Sequence, residues 1–144
     1  MIFLKFDEAQ LIQNKVQRVD FLEKALKEAI NNPQFIPYIQ LHEFEGLLFA
    51  AKDGFAFLPD LSQSNLDSLL HAVNEKENPE ELNDGALTAP SKRLEQLIPG
   101  FDKNKPFYGG LIAELNIINP ILDRCQRFEA WVSLLFQRFK SDSA

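Results

Sequence analysis

Cysteine, methionine and tryptophan each occur once in this chain of 144 residues, and glycine only six times. A single cysteine, Cys125, forms no internal disulfide, so nothing in the cysteine count argues for an oxidising compartment. No window approaches the roughly 18 consecutive apolar residues that a membrane span needs. The opening MIFLKFDEAQ has no basic stretch followed by a long apolar one, so no signal peptide is readable. Together these absences predict a soluble, cytoplasmic protein with no membrane partner. Neither common Gly-rich phosphate loop is present, and GxSxG and CxxC pairs are missing too, which removes support for nucleotide binding and serine hydrolysis. Without a repeat or heptad run, solenoid and coiled-coil architectures are also set aside.

What is present is ordinary in proportion: 45% hydrophobic and 25% charged residues, the balance of a globular chain. The length fits one domain over residues 1–144, able to bury about 68 to 70% of its unfolded surface. Phenylalanine is abundant, at 13 residues, and predicts a core dominated by aromatic packing. The net charge of -6 disfavours a protein that grips nucleic acid over its whole surface, although a local basic patch remains compatible with it. An acidic balance also suits a metal site, whose carboxylates count as negative charge until the cation arrives.

Along the chain, IFLKF at residues 2–6 reads as a short strand. Val16, Val19, Leu22, Leu26 and Ile30 recur at helical spacing, so residues 16–30 are an amphipathic helix stopped by Asn31, Asn32 and Pro33. FIPYIQL at residues 35–41 reads as an edge or irregular strand because of Pro37, and HEFEGLLFAA from His42 reads as a helix starting where that strand ends. Residues 54–64 are a turn region and residues 66–73 a short helix. An acidic loop follows, in which PEEL forms one turn with proline first. SKRLEQLI is a helix that Ser91 caps or enters, GFDKNKPFYGG a loop, and GLIAELNI and INPILDRC are helical. The final helix carries Phe128, Trp131, Val132, Leu135 and Phe139 as its apolar stripe, with Cys125 and Trp131 as core residues, and SDSA frays.

Two clusters carry possible chemistry. His42, Glu43 and Glu45 in HEFE place one imidazole and two carboxylates within a turn, enough to supply two or three ligands to a divalent metal, Mg or Mn by donor type, with further ligands from elsewhere. The plainer reading is that the two glutamates complement a helix dipole while His42 caps or packs. The spacing is not HExxH, so a zinc protease is excluded. Lys92, Arg93, Lys103 and Lys105 surround two loops and the helix start at Ser91, a pattern able to meet phosphate; the plainer reading is a solvated face with Glu95 and Asp102 as partners. His71 stands alone and carries no chemistry.

FIPYIQLHEFEGLLFA at residues 35–50, PEELNDGALTAPSKRL at residues 79–94, the YGG loop and CQRFEAWVSLL at residues 125–135, in that order, resemble the C-terminal part of an uncharacterised domain-of-unknown-function family with a Toprim-like fold. The resemblance covers residues 6–139. It implies an α/β but predominantly helical chain, a Toprim-like fragment with few strands whose N-terminal strands are missing. Upstream strands ending in a glutamate-containing segment and in an aspartate are usual in that family and are not in this sequence; Asp7 does not replace the aspartate. The implied function is divalent-metal-dependent, nuclease-like processing of nucleic acid, with Glu43, Glu45 and His42 as catalytic residues, Glu43 and Glu45 on Mg or Mn, and Lys92, Arg93, Lys103 and Lys105 on phosphates. Such a chain is expected to be inactive alone. The alternative is a non-catalytic interaction module for a partner ATPase in a phage-defence system, with an oligomer as a further way to cover exposed apolar surface.

Overall fold

The computed structural model describes residues 5–82, 85, 87–114 and 118–141. Among these, the positions up to Leu41 and from Ala130 form one compact unit, and His42–Glu129 form another.

In the first unit, α1 (Phe6–Gln10) is followed by α2 (Lys15–Ile30). The predicted strand over residues 2–6 lies outside the described residues except for its last two positions, and Phe6 opens a helix. α2 matches the spacing of its apolar residues. Asn14 caps its start by accepting from the Gln17 amide at 3.0 Å, and Asn31 ends it in the left-handed region at φ 47°, a conformation asparagine tolerates.

The α/β, Toprim-like arrangement is overturned here, because the described residues contain no strand. Residues 35–41 form no strand and make no ladder. Helix side chains satisfy much of their backbone instead: Lys27 of α2 donates to the Phe35 carbonyl, the Ile39 amide donates to Glu23 at 2.7 Å, and the Trp131 indole donates to the Ile36 carbonyl at 3.2 Å. Pro37 offers no N–H, and no other strand is present among the described residues to pair with. Tyr38 stacks on Trp131 with ring centroids 5.0 Å apart.

The second unit holds α3 (Gln63–Asn74), α4 (Pro90–Leu97), α5 (Lys105–Ala113), α6 (Ile118–Arg124) and the first residues of α7 (Gln126–Ser141). Its centre is Phe44–Ala50, which forms a 3-10 helix where an ordinary helix was expected. Five consecutive residues, Gly46 to Ala50, are buried. Leu48 and Phe49 enter one apolar cluster while Leu47 and Ala50 enter another, so this segment is wrapped on opposite sides. A 3-10 run of this length is uncommon, and its tighter winding is held here by packing rather than by hydrogen-bond geometry.

The core is less aromatic than the phenylalanine count suggests. Phe49, Phe55 and Phe101 are fully buried among Leu58, Leu69, Leu82, Leu94, Ile98 and Ile112, whereas Phe6, Phe44, Phe57, Phe107, Phe136 and Phe139 are exposed. Lys105–Ala113, expected to be largely loop, is helical because Pro106 occupies its first turn, where a missing N–H costs nothing.

Two helices of this unit have a first-turn amide satisfied by a glutamate from a distant segment. Ser91 enters α4 rather than capping it, and its amide donates to Glu43 Oε2 at 2.7 Å. The Arg127 amide in the first turn of α7 donates to Glu80 Oε2 at 2.8 Å. Glu80 is 1% exposed, so the carboxylate is buried against the helix start it satisfies.

Cys125 is fully buried beside this cap. Burial, and then the Glu80 charge, push its thiol up to about 12, so at pH 8 it is uncharged and unreactive. Iodoacetamide is expected to leave the native protein unlabelled at pH 8 and to label it once urea unfolds it; fast native labelling would contradict this burial. The unfolded thiol ionises near pH 8.5 and the folded one far above it. The unfolded chain therefore binds fewer protons over that interval, and stability is expected to fall as pH rises from about 8.5 towards 12.

Candidate functional site

The site is built where the predicted blocks meet inside the second unit. Glu43 is extended and caps α4 through Ser91. Glu45 stands in the first turn of the 3-10 segment, and its Oε1 accepts from Lys105 Nζ of α5 at 3.1 Å. The same ammonium lies 3.4 Å from Glu95 of α4, and Lys92 completes the row at 2.6 Å from Glu95. The Glu45 contact, and then that of Glu95, hold the Lys105 ammonium above its ordinary range, while Lys92, and then Lys105, hold the Glu95 carboxyl below its own.

The expected basic set therefore divides. Lys105 joins Glu45 of HEFE and Lys92 joins it through the shared Glu95, but Arg93 turns to Glu75 at 2.7 Å and to the Thr88 carbonyl at 2.8 Å. That contact holds the Glu75 carboxyl below its usual range. Lys103 is exposed on the 3-10 turn Phe101–Lys103, and His42 is partly buried just before the glutamates. His71 is exposed, as its isolation in the sequence suggested.

As a metal site the donor set does not fit. Among the described residues no group of three or more His, Cys, Asp or Glu side chains is placed to hold an ion. Glu43 is engaged by a helix amide and Glu45 by an ammonium, so a cation would have to break both contacts before gaining two ligands.

Beside the Glu45 and Lys105 pair opens a cavity of about 550 Å³, walled by Phe44, Leu47, Leu48, Phe101, Pro106 and Ile121, with Gly109, Gly110 and Ala113 along its α5 side. A Cβ at Gly109 or Gly110 would meet nothing within 4 Å. Phe44 is 68% exposed at the mouth, and the Lys105 ammonium lies 5.8 Å above the Phe101 ring centre. This volume suits one or two apolar side chains, and the few polar groups at its rim are the kind that orient a ligand.

Sequence reasoning placed Glu95 only as a local partner and missed the cavity altogether. The signal was the adjacent glycine pair, since two glycines inside a helix without a turn or close packing to require them are costly.

No curated protein and no solved structure matches the chain. A family model described as Domain of unknown function (DUF4276) matches residues 2–135, and this chain belongs to that family.

Proposed function

We propose that this chain is a non-catalytic interaction module whose second unit holds an apolar side chain of a protein partner in the cavity between the HEFE segment and α5. The carrying observation is the Gly109 and Gly110 pair. Each glycine inside a helix costs about 0.5 to 1 kcal/mol relative to alanine, and neither has a neighbour that an added methyl would strike. Their open backbone supports a role in admitting a ligand to the cavity wall. The family resemblance suggests the partner class, an ATPase of a defence-associated system.

The test mixes the full chain with an ATPase of the proposed defence-associated class and follows complex formation by size-exclusion chromatography with light scattering. Gly109→Ala is expected to raise the melting temperature by about 2 to 4 °C per kcal/mol gained. Gly109→Leu is expected to keep the helical circular dichroism and abolish the complex. A complex that survives Gly109→Leu, or none with the unaltered chain, overturns the reading.

Metal-dependent nucleic-acid processing keeps one observation on its side: carboxylates Glu45 and Glu95 meet the ammonium groups of Lys92 and Lys105, and Glu43 binds the Ser91 amide beside Lys92 in sequence. Calorimetric titration with MgCl2 and MnCl2, repeated on Glu43→Ala/Glu45→Ala, separates the two. Heat present in the first and lost in the second would favour a metal function at HEFE over the module.

A further inference from the structure

Resting on that module reading, we infer that the cavity selects a partner segment in which the apolar anchor is flanked by a basic residue, whose cation joins the rim at Glu45. Two carboxylates, Glu45 and Glu95, meet two ammonium groups there. Lys92 is committed to Glu95 at 2.6 Å, and Lys105 is shared between Glu45 at 3.1 Å and Glu95 at 3.4 Å. The Glu43 charge is turned to the start of α4. Glu45, which lines the cavity, is thus the carboxylate with only part of a counter-ion.

The charge of the whole unit points the same way. His42–Glu129 contain 15 Asp and Glu against 8 Lys and Arg, a net -7, while the remainder of the chain carries a net +1. A unit so acidic repels phosphate backbones and attracts cationic segments, an effect felt mainly in association rate and specificity. Lys105 already shows where such a cation rests, near Glu45, Glu95 and the Phe101 ring, a combination that suits a second ammonium or guanidinium nearby.

The probe is a set of short fluorescein-labelled peptides with one central phenylalanine flanked by arginine, glutamine or glutamate, titrated into the full chain and read by anisotropy. The arginine peptide is expected to bind about ten-fold tighter than the glutamine peptide and to lose that margin in high salt. Glu45→Gln should shrink the margin to below about three-fold with the glutamine peptide unaffected. Lys105→Met should widen the margin, because Glu45 then loses its resident cation while Glu95 keeps Lys92. These opposite signs separate charge recognition from a fold defect, and a melt of each variant confirms folding. Equal affinities for the arginine and glutamine peptides, both lost in Gly109→Leu, would overturn the charge inference and leave the module standing. Binding of no peptide, or binding indifferent to Gly109→Leu, would bring down both.

Discussion

Gly54→Ala is expected to destabilise the protein by about 3 kcal/mol, the upper part of the range for overpacking a core. A Cβ at Gly54 would come within 2.5 Å of the Ile112 carbonyl oxygen and 2.9 Å of its side chain. The nearest atom is backbone in the last turn of α5, so no side-chain rotation relieves the clash; the 3-10 helix Lys52–Phe57 must part from α5 instead. Ile112 is fully buried in the main apolar cluster, and the separation would loosen that cluster. Urea unfolding followed by circular dichroism should show a lower midpoint at unchanged slope. A midpoint equal to that of the parent would mean that α5 does not approach this segment as described.

Arg124→Met should cost about 2 to 4 kcal/mol, and by a different route. The Arg124 guanidinium donates to four carbonyls: Val73 at 2.7 Å, Lys76 at 2.9 Å, Phe49 at 3.1 Å and Glu77 at 3.3 Å. The Val73 and Phe49 oxygens belong to buried residues, and each loses a charged donor at roughly 1 to 3 kcal/mol. The other two are exposed and pass to water. Arg124→Lys should recover less than half of the loss, since one ammonium cannot reproduce a planar fork of donors. Full recovery by lysine would show that charge near the end of α3 matters and the individual bonds do not.

How much of this was readable in the residues follows from which forces are local. α2, α3 and α7 announce themselves by apolar spacing, and Asn14 and Ser62 mark the first two with caps that act within four positions. Residues 35–41 have the composition of a strand, but a strand needs a neighbour, and side chains of Glu23, Lys27 and Trp131 take that place. The segment around Leu47 has the sequence of an ordinary helix, yet it winds as a 3-10 helix with opposite sides buried, a property that depends on what packs around it. Proline and a glycine pair disguised α5 as loop. At the site, HEFE and the lysines were each visible, but their meeting spans 48 and 60 residues between Glu43 and Ser91 and between Glu45 and Lys105, and no spacing rule reaches so far.

The glutamates that satisfy the starts of α4 and α7 have a consequence for how the chain comes together. Each helix draws its first-turn acceptor from across a closed loop of 48 or 47 residues, so its beginning is fixed only after the distant segment arrives. A peptide cut to Pro90–Leu97 has no such acceptor and is too short to hold a helix unaided. Helix formation in α4 is in that sense a late event that reports docking of the HEFE segment, and the rate of folding is set by closing those long loops rather than by helix propensity.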